Sequence, residues 1–328
     1  MSGLRAPSSR DVWVFIQRDE KPLPVSLELL TKGRELAEKS GGRLAAVLFG
    51  GDGDDINMVA PYGPDIIYHG EDWRLALSDE EVYTGMLARM VSEEDPAVLL
   101  FGATPFGRSF APRLAARLGT GLTADCTALD IDPATGLLQQ TRPAFGGNLM
   151  ALIVCPDHRP QMATVRPGVF QAVPAVSAQS VEIVKLAFLD GLAPRVRRLS
   201  FDAIETGKSI ASAELIVSVG RGIGHQKNLK LVEKLAQLLG ARIGASRPLI
   251  EAGWLPYSCQ IGQTGCNVAP KLLLAFGISG AIQHLAGISG AQCIVAVNSD
   301  PDAPVFGVSH YAVVGDCQEV LREMIAHY

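Results

Sequence analysis

The stretch LLLAFGISGAIQHLAGISGAQCIVAVNS, residues 272–299, runs for 28 positions without Asp, Glu, Lys or Arg. Its hydropathy alone would suit a membrane span. It also carries Gly277, Gly280, Gly287, Gly290, Gln283, His284, Gln292 and Asn298, and the polar groups among these are costly in hydrocarbon. The inner pattern points elsewhere. Leu272 to Phe276 is an apolar run of strand length, Gly277-Ile278-Ser279-Gly280-Ala281 is turn chemistry, a short helix begins near Gly280, and Cys293 to Val297 is a second apolar strand. Two buried strands around a helix are a unit of a parallel sheet, so no membrane span is expected.

The same unit recurs on either side. Leu215 to Val219 reads as a buried strand, followed by Gly220-Arg221-Gly222-Ile223-Gly224 and a helix from about Lys227 to Leu239. Leu229, Val232, Leu235, Ala236 and Leu239 form one apolar stripe on that helix, and Gly240 is a C-terminal cap. Short strands follow at Arg242 to Ala245 and Tyr311 to Val314. Over residues 204–328 nine acidic and nine basic residues balance, and the sequence predicts a doubly wound, Rossmann-like α/β domain.

Residues 1–203 predict a second open-sheet α/β domain. Strands are expected at Asp11 to Ile16, Arg43 to Phe49 and Ala97 to Phe101. Helices are expected at Val25 to Lys39 and Gly107 to Leu118, the latter with Pro112 near its first turn. From Leu122 to about Pro167 the pattern changes to Ala128–Ile131, a turn at Asp132 to Gly136, and runs at Leu137–Thr141, Leu149–Cys155 and Gln161–Val165. This suggests an antiparallel excursion. Val169 to about Pro194, with Pro174, reads as an extended edge or connector, and the domain ends between 195 and 210.

Composition narrows the function classes. With 29 Lys plus Arg against 34 Asp plus Glu, the formal charge of −5 and the lack of a basic run argue against a nucleic-acid partner. The residues after Met1 have no apolar core, so no secretory signal is expected and the chain reads as cytoplasmic. Cys126, Cys155, Cys259, Cys266, Cys293 and Cys317 form no C-x-x-C pair, metal spacing or disulfide framework. They read mostly as buried thiols, Cys293 among them.

Residues that could carry chemistry cluster at the carboxyl ends of the second domain's strands, where open α/β sheets bind ligands. Gly220-x-Gly222-x-Gly224 lacks the G-x-G-x-x-G spacing and serves equally as a tight turn or as an anion-binding turn presenting Arg221. The Ser279 turn is either a pyrophosphate cradle or a hydrolase nucleophile elbow. His284 lies too close in sequence to act as the usual base, which leaves His310 for the hydrolase. Gln260-Ile261-Gly262-Gln263-Thr264-Gly265 is either a surface turn or, with Ser246-Arg247, the wall of a pocket for a phosphate-bearing heterocycle. Asn298 and Asp316 stand just past the last two strands.

At these residues the sequence resembles the α subunit of electron transfer flavoprotein. The likeness lies in Ser246-Arg247, the Gln260 to Gly265 loop, Gly277 to Gly287, Asn298-x-Asp300-Pro-x-Ala-Pro304-Val-Phe306 and Val314-Gly-Asp316. In the first domain Gly119 to Cys126, Gln140 to Asn148 and Arg159 to Gly168 carry it. The resemblance implies an αβ heterodimer with one FAD in this chain's C-terminal domain and the first domain contacting the β subunit. By matching positions, Arg221, Ser246 and Arg247 would border the flavin and its phosphates, and Thr264 would hydrogen-bond near N5. Gln260, Ile261, Gly262, Gln263 and Gly265 would line the same loop. Ser279, Gly280, Ala281, Ile282, Gln283 and His284 would hold the pyrophosphate and reach the pyrimidine side. Asn298 and Asp316, with the adjoining Cys317, would meet the adenosine end. Arg247, with His284 as donor, would stabilise negative charge at N1 and O2.

Two positions depart from the family pattern: Cys266 stands where Lys is usual, removing a positive charge, and His310-Tyr311 stands where Asp-Tyr is usual. The first-domain runs and Ala252-Gly253-Trp254 look most like α subunits of anaerobic bacteria. That likeness implies electron exchange with an acyl-CoA dehydrogenase-type flavoenzyme. It leaves two versions open: a plain one-electron shuttle, and flavin-based bifurcation from NADH to ferredoxin or flavodoxin, in which NADH oxidation needs the β subunit. A second FAD, or AMP, would sit in the β subunit.

Overall fold

The computed structural model describes residues 9–77, 79–144, 149–175, 180–196, 199–200 and 210–328. The segments Ser2 to Ser8 and Phe145 to Asn148, and the expected boundary at 203/204, lie outside the described residues. The chain divides into two compact units, Met1–Ser200 and Phe201–Tyr328.

In the first unit the elements run β1 (Val12–Ile16), α1 (Pro24–Ser40), β2 (Leu44–Phe49), α2 (Gly53–Val59), β3 (Ile66–Gly70), α3 (Glu80–Glu94), β4 (Val98–Gly102) and α4 (Pro105–Leu118). They continue with β5 (Leu122–Cys126), β6 (Ala128–Ile131), β7 (Leu138–Pro143), β8 (Met150–Ile153), β9 (Gln161–Val165) and β10 (Glu182–Lys185). Seven strands form a parallel sheet in the order β10-β3-β2-β1-β4-β9-β5. Alternation along β1 sorts the core: Val12, Val14 and Ile16 join Leu29, Leu30 and Leu36 of α1 on one face. Trp13 and Phe15 join Tyr83, Phe101 and Phe110 on the other. Both faces are covered, which is why the strands read as continuous apolar runs.

Two first-unit expectations change. The antiparallel excursion is confined to β6-β7-β8, whereas Gln161–Val165 is a parallel strand between β4 and β5. A run buried at every position gives no sign of strand direction. Pro112 sits well inside α4, because the helix starts at Pro105 with Thr104 as N-cap, its hydroxyl accepting from the Gly107 N–H at 3.0 Å. The connector after Val169 does supply an edge strand, β10, paired with β3.

The second unit comprises β11 (Leu215–Val219), α5 (Leu229–Leu239), β12 (Arg242–Ala245), α6 (Arg247–Glu251), β13 (Leu272–Phe276), α7 (Ile282–Ile288), β14 (Ile294–Asn298), β15 (Tyr311–Val314) and α8 (Cys317–His327). Its five strands are all parallel in the order β12-β11-β13-β14-β15. The stripe of α5 is buried as its periodicity requires, and Gly240 closes the helix in the left-handed region at φ 64°. Helices α5 and α8 pack on the face bearing Val217 and Val219. Ile288 of α7 packs on the opposite face with Ile216, Leu273 and Ala275. The connections leaving β11 and β13 therefore diverge to opposite sides, and the crevice between them is the topological switch point of the sheet. No helix among the described residues is long and apolar enough to cross a membrane.

Candidate functional site

Strand β11 ends in Val219, and the chain turns through Gly220 to Gly224 directly over the loop leaving β13. The N–H of Gly222 donates to the Gly277 carbonyl at 2.9 Å. A Cβ on Gly222 would lie 2.6 Å from Gly277 Cα, and one on Gly277, itself at φ 61°, would lie 2.7 Å from Gly222 backbone atoms. Only glycines let these two backbones cross so closely. Cys317 is buried beneath them and its Sγ donates to the Gly222 carbonyl at 3.3 Å.

Beyond this crossing lies a cavity of about 670 Å³. It is lined by Arg221 and Gly222 after β11, Ser246, Arg247, Pro248 and Glu251 at α6, Gln260 to Thr264, Gly277 to Ala281, Gln283 and His284 around α7, and Asn298 after β14. Of the eighteen residues singled out in the sequence, Gly265, Ile282, Asp316 and Cys317 do not line it. Gly265 closes the loop by donating to the Gly262 carbonyl at 2.9 Å, and Ile282 faces outward. Asp316 is the N-cap of α8, accepting from Gln318 N at 2.6 Å and Glu319 N at 3.3 Å. Gly222, Pro248, Glu251, Gly277 and Ile278 join the lining. The glycines stood in the two turns already noted, whereas the i,i+4 spacing of Arg247 and Glu251 marks an ion pair on a helix and not a cavity.

The loop from Gln260 to Gly265 is held against α7: Gln263 N donates to the Gln283 carbonyl at 2.7 Å and Cys266 N to the Gln260 carbonyl at 2.7 Å. Gln260 Nε2 donates to Thr264 Oγ1 at 3.0 Å, which leaves the threonine's own O–H free to point into the cavity. Burial raises the thiol pKa of both Cys259 and Cys266, which flank the loop. Asn298 spends its side chain locally, donating to the Ile278 carbonyl at 2.9 Å and accepting from Asp300 N at 3.0 Å, and so ties the β13–α7 loop to β14.

His284 is buried, with Nδ1 3.0 Å from the Ile261 carbonyl. A carbonyl only accepts, so Nδ1 carries the proton and the neutral ring presents Nε2 as an acceptor, and Nε2 has no partner. Burial pushes the imidazole pKa below 6.5, the Ile261 hydrogen bond partly opposing it. The donor role expected for His284 therefore requires it to be protonated. Among the described residues no histidine ring nitrogen accepts from Ser279 Oγ. His310 Nδ1 accepts from Ile294 N at 3.0 Å instead, so the hydrolase reading of Ser279 has no general base. Cys126 and Cys317 are buried, but the other four cysteines, Cys293 included, are only half-buried.

The polar groups fit a flavin dinucleotide. An orphaned buried ring nitrogen, a free threonine hydroxyl and two guanidinium groups converge on one cavity. Its volume falls within the range of about 300–1,000 Å³ usual for cofactor sites.

Both units resemble known proteins. Residues 12–190 match the model of the electron transfer flavoprotein domain, and residues 209–289 that of the electron transfer flavoprotein FAD-binding domain. The electron transfer flavoprotein subunit alpha of Clostridium acetobutylicum is 46% identical over 97% of this chain and 96% of its own. Protein FixB of Clostridium saccharobutylicum is 44% identical over 97% and 96%. The acryloyl-CoA reductase electron transfer subunit beta of Anaerotignum propionicum is 40% identical over 97% and 95%. With both family models matched in order and relatives aligned along almost its whole length, the chain belongs to the electron transfer flavoprotein α-subunit family.

Proposed function

We propose that this chain, paired with an electron transfer flavoprotein β subunit, holds one FAD in the cavity above β11 and β13 and relays electrons between an acyl-CoA dehydrogenase-type flavoenzyme and a second redox partner. The observation that carries this reading is the convergence of Arg221, Arg247, Thr264 and the unpartnered His284 Nε2 on that cavity. When bound, the isoalloxazine ring supplies the electron chemistry. The chain's residues bind and tune it. Arg221, Ser246 and the turn beginning at Ser279 would hold the pyrophosphate, the Thr264 hydroxyl would hydrogen-bond near N5, and Arg247 would provide positive charge at the pyrimidine side. Asp316 and Cys317 act at one remove, by fixing α8 and the Gly222 turn.

The likeness to an acryloyl-CoA reductase electron transfer subunit and to clostridial α subunits supports exchange with an acyl-CoA-type enzyme. The finer version of this reading is flavin-based bifurcation, with a second FAD in the β subunit, NADH as donor and ferredoxin or flavodoxin as one acceptor. The deciding experiment is a flavin count and NADH titration of the co-purified heterodimer. Two FAD reduced directly by NADH are expected. One FAD with AMP, indifferent to NADH but reduced by a dehydrogenase, makes the protein a plain shuttle, and absence of flavin removes the cavity reading altogether.

A further inference from the structure

Among the described residues, three charged side chains line the cavity: Arg221, Arg247 and Glu251. Arg247 Nε donates to Glu251 Oε1 at 2.8 Å, one helical turn apart on α6. The guanidinium has no other hydrogen bond or ion pair among the described residues. Its donors lie in one rigid plane, so a carboxylate on the Nε edge fixes that plane and leaves the terminal nitrogens open. Both side chains are well exposed, at 64% and 60%, and a solvated i,i+4 pair adds little to stability. Its consequence falls instead on whatever the arginine faces.

We propose that Glu251 is a positioning residue for Arg247, holding the Nε edge so that the terminal nitrogens face an anionic group in the cavity while its own charge offsets part of the arginine's. This rests on the flavin reading above and extends it to an acidic residue with no place in that reading. The two effects have opposite signs. Glutamine keeps an acceptor of the same reach and removes the charge, whereas alanine removes both.

The test compares the co-purified heterodimer with its Glu251→Gln and Glu251→Ala variants, each also in an Arg247→Ala background. The readouts are the midpoint potential of the bound flavin and the Kd for FAD re-added to the apoprotein. Glu251→Gln should move the potential positive and tighten FAD by about two- to fivefold, the range of an exposed charge pair. Glu251→Ala should lose that tightening, because the guanidinium is no longer held. The difference between the two variants should vanish when Arg247 is alanine. If the two variants are alike in potential and Kd, or still differ without Arg247, the positioning role is wrong. A wild-type heterodimer that binds no flavin overturns the underlying site instead. Thermal melts of all variants should match, and a large loss in one would replace positioning with a structural role.

Discussion

His284 is the residue on which the site's pH response turns. Its folded pKa lies below 6.5, chiefly through burial, so between that lowered value and 6.5 the unfolded chain binds a proton that the folded chain does not. Stability is therefore full above about pH 6.5 and falls as the pH drops through the lowered folded value. A His284→Gln variant, which cannot titrate, should lose less melting temperature between pH 8 and pH 5 than the wild type. Equal losses would mean that the ring is not desolvated in solution. Residues of this kind were legible in part. Arg221, Arg247 and Thr264 stood out because their types suit phosphates and a heterocycle. The direction of the His284 hydrogen bond did not, because it depends on where the Ile261 carbonyl lies 23 residues away. Glu251 went unread for a related reason: a surface i,i+4 pair has the same spacing whether or not a cavity lies beside it.

At the scale of elements the site depends on caps and crossings more than on long helices. Gly277 is left-handed and would place a Cβ against the Gly222 backbone, so Gly277→Ala should destabilise the second unit by about 1–3 kcal/mol or more. Flavin absorbance should vanish along with it. A variant that keeps both flavin and melting temperature would show that the crossing is loose. Asp316→Ala should instead cost about 1 kcal/mol as a lost N-cap while the flavin is retained. Loss of flavin without loss of stability would return Asp316 to the adenosine contact first expected of it. The strands of the second unit were readable nearly to the residue because most of them, β11, β13 and β14 above all, are apolar runs. In the first unit β3 and α3 escaped notice. The Ile66–Gly70 strand contains Tyr68 and His69, and α3 buries Thr84 and Gly85 beside its apolar positions, so neither shows a clean period.

For the whole molecule the open question is what covers its exposed apolar surface. Leu149, Met150, Leu152 and Val154 are 71%, 56%, 59% and 44% exposed on and around β8, an edge strand of the three-stranded sheet. An exposed apolar edge of this kind invites pairing with another chain. On the heterodimer reading the β subunit occupies it. Replacing Met150 and Leu152 by Lys should make the lone chain more soluble and sharply reduce its co-purification with the β subunit. Undiminished co-purification would move the interface elsewhere. Added FAD should raise only the melting transition of the second unit, by about 2.7 kcal/mol at a hundredfold excess over Kd. A single transition that shifts as a whole would show that the two units unfold together.

The parallel order β12-β11-β13-β14-β15 collects the cavity wall from loops between Arg221 and Asn298, and it has a bearing on how the protein is made. Asn298, which secures the Ile278 loop, is the last of the lining residues to be synthesised. A nascent chain leaving the ribosome exposes the glycine turn after β11 long before the strand that completes the pocket. Domains fold in the order of their synthesis, N-terminal first, so the first unit can mature while the second is still incomplete. On the flavin reading the cofactor can be loaded only after Asn298 has been made, and starving cells of riboflavin should leave a correctly folded first unit beside an unfilled second one.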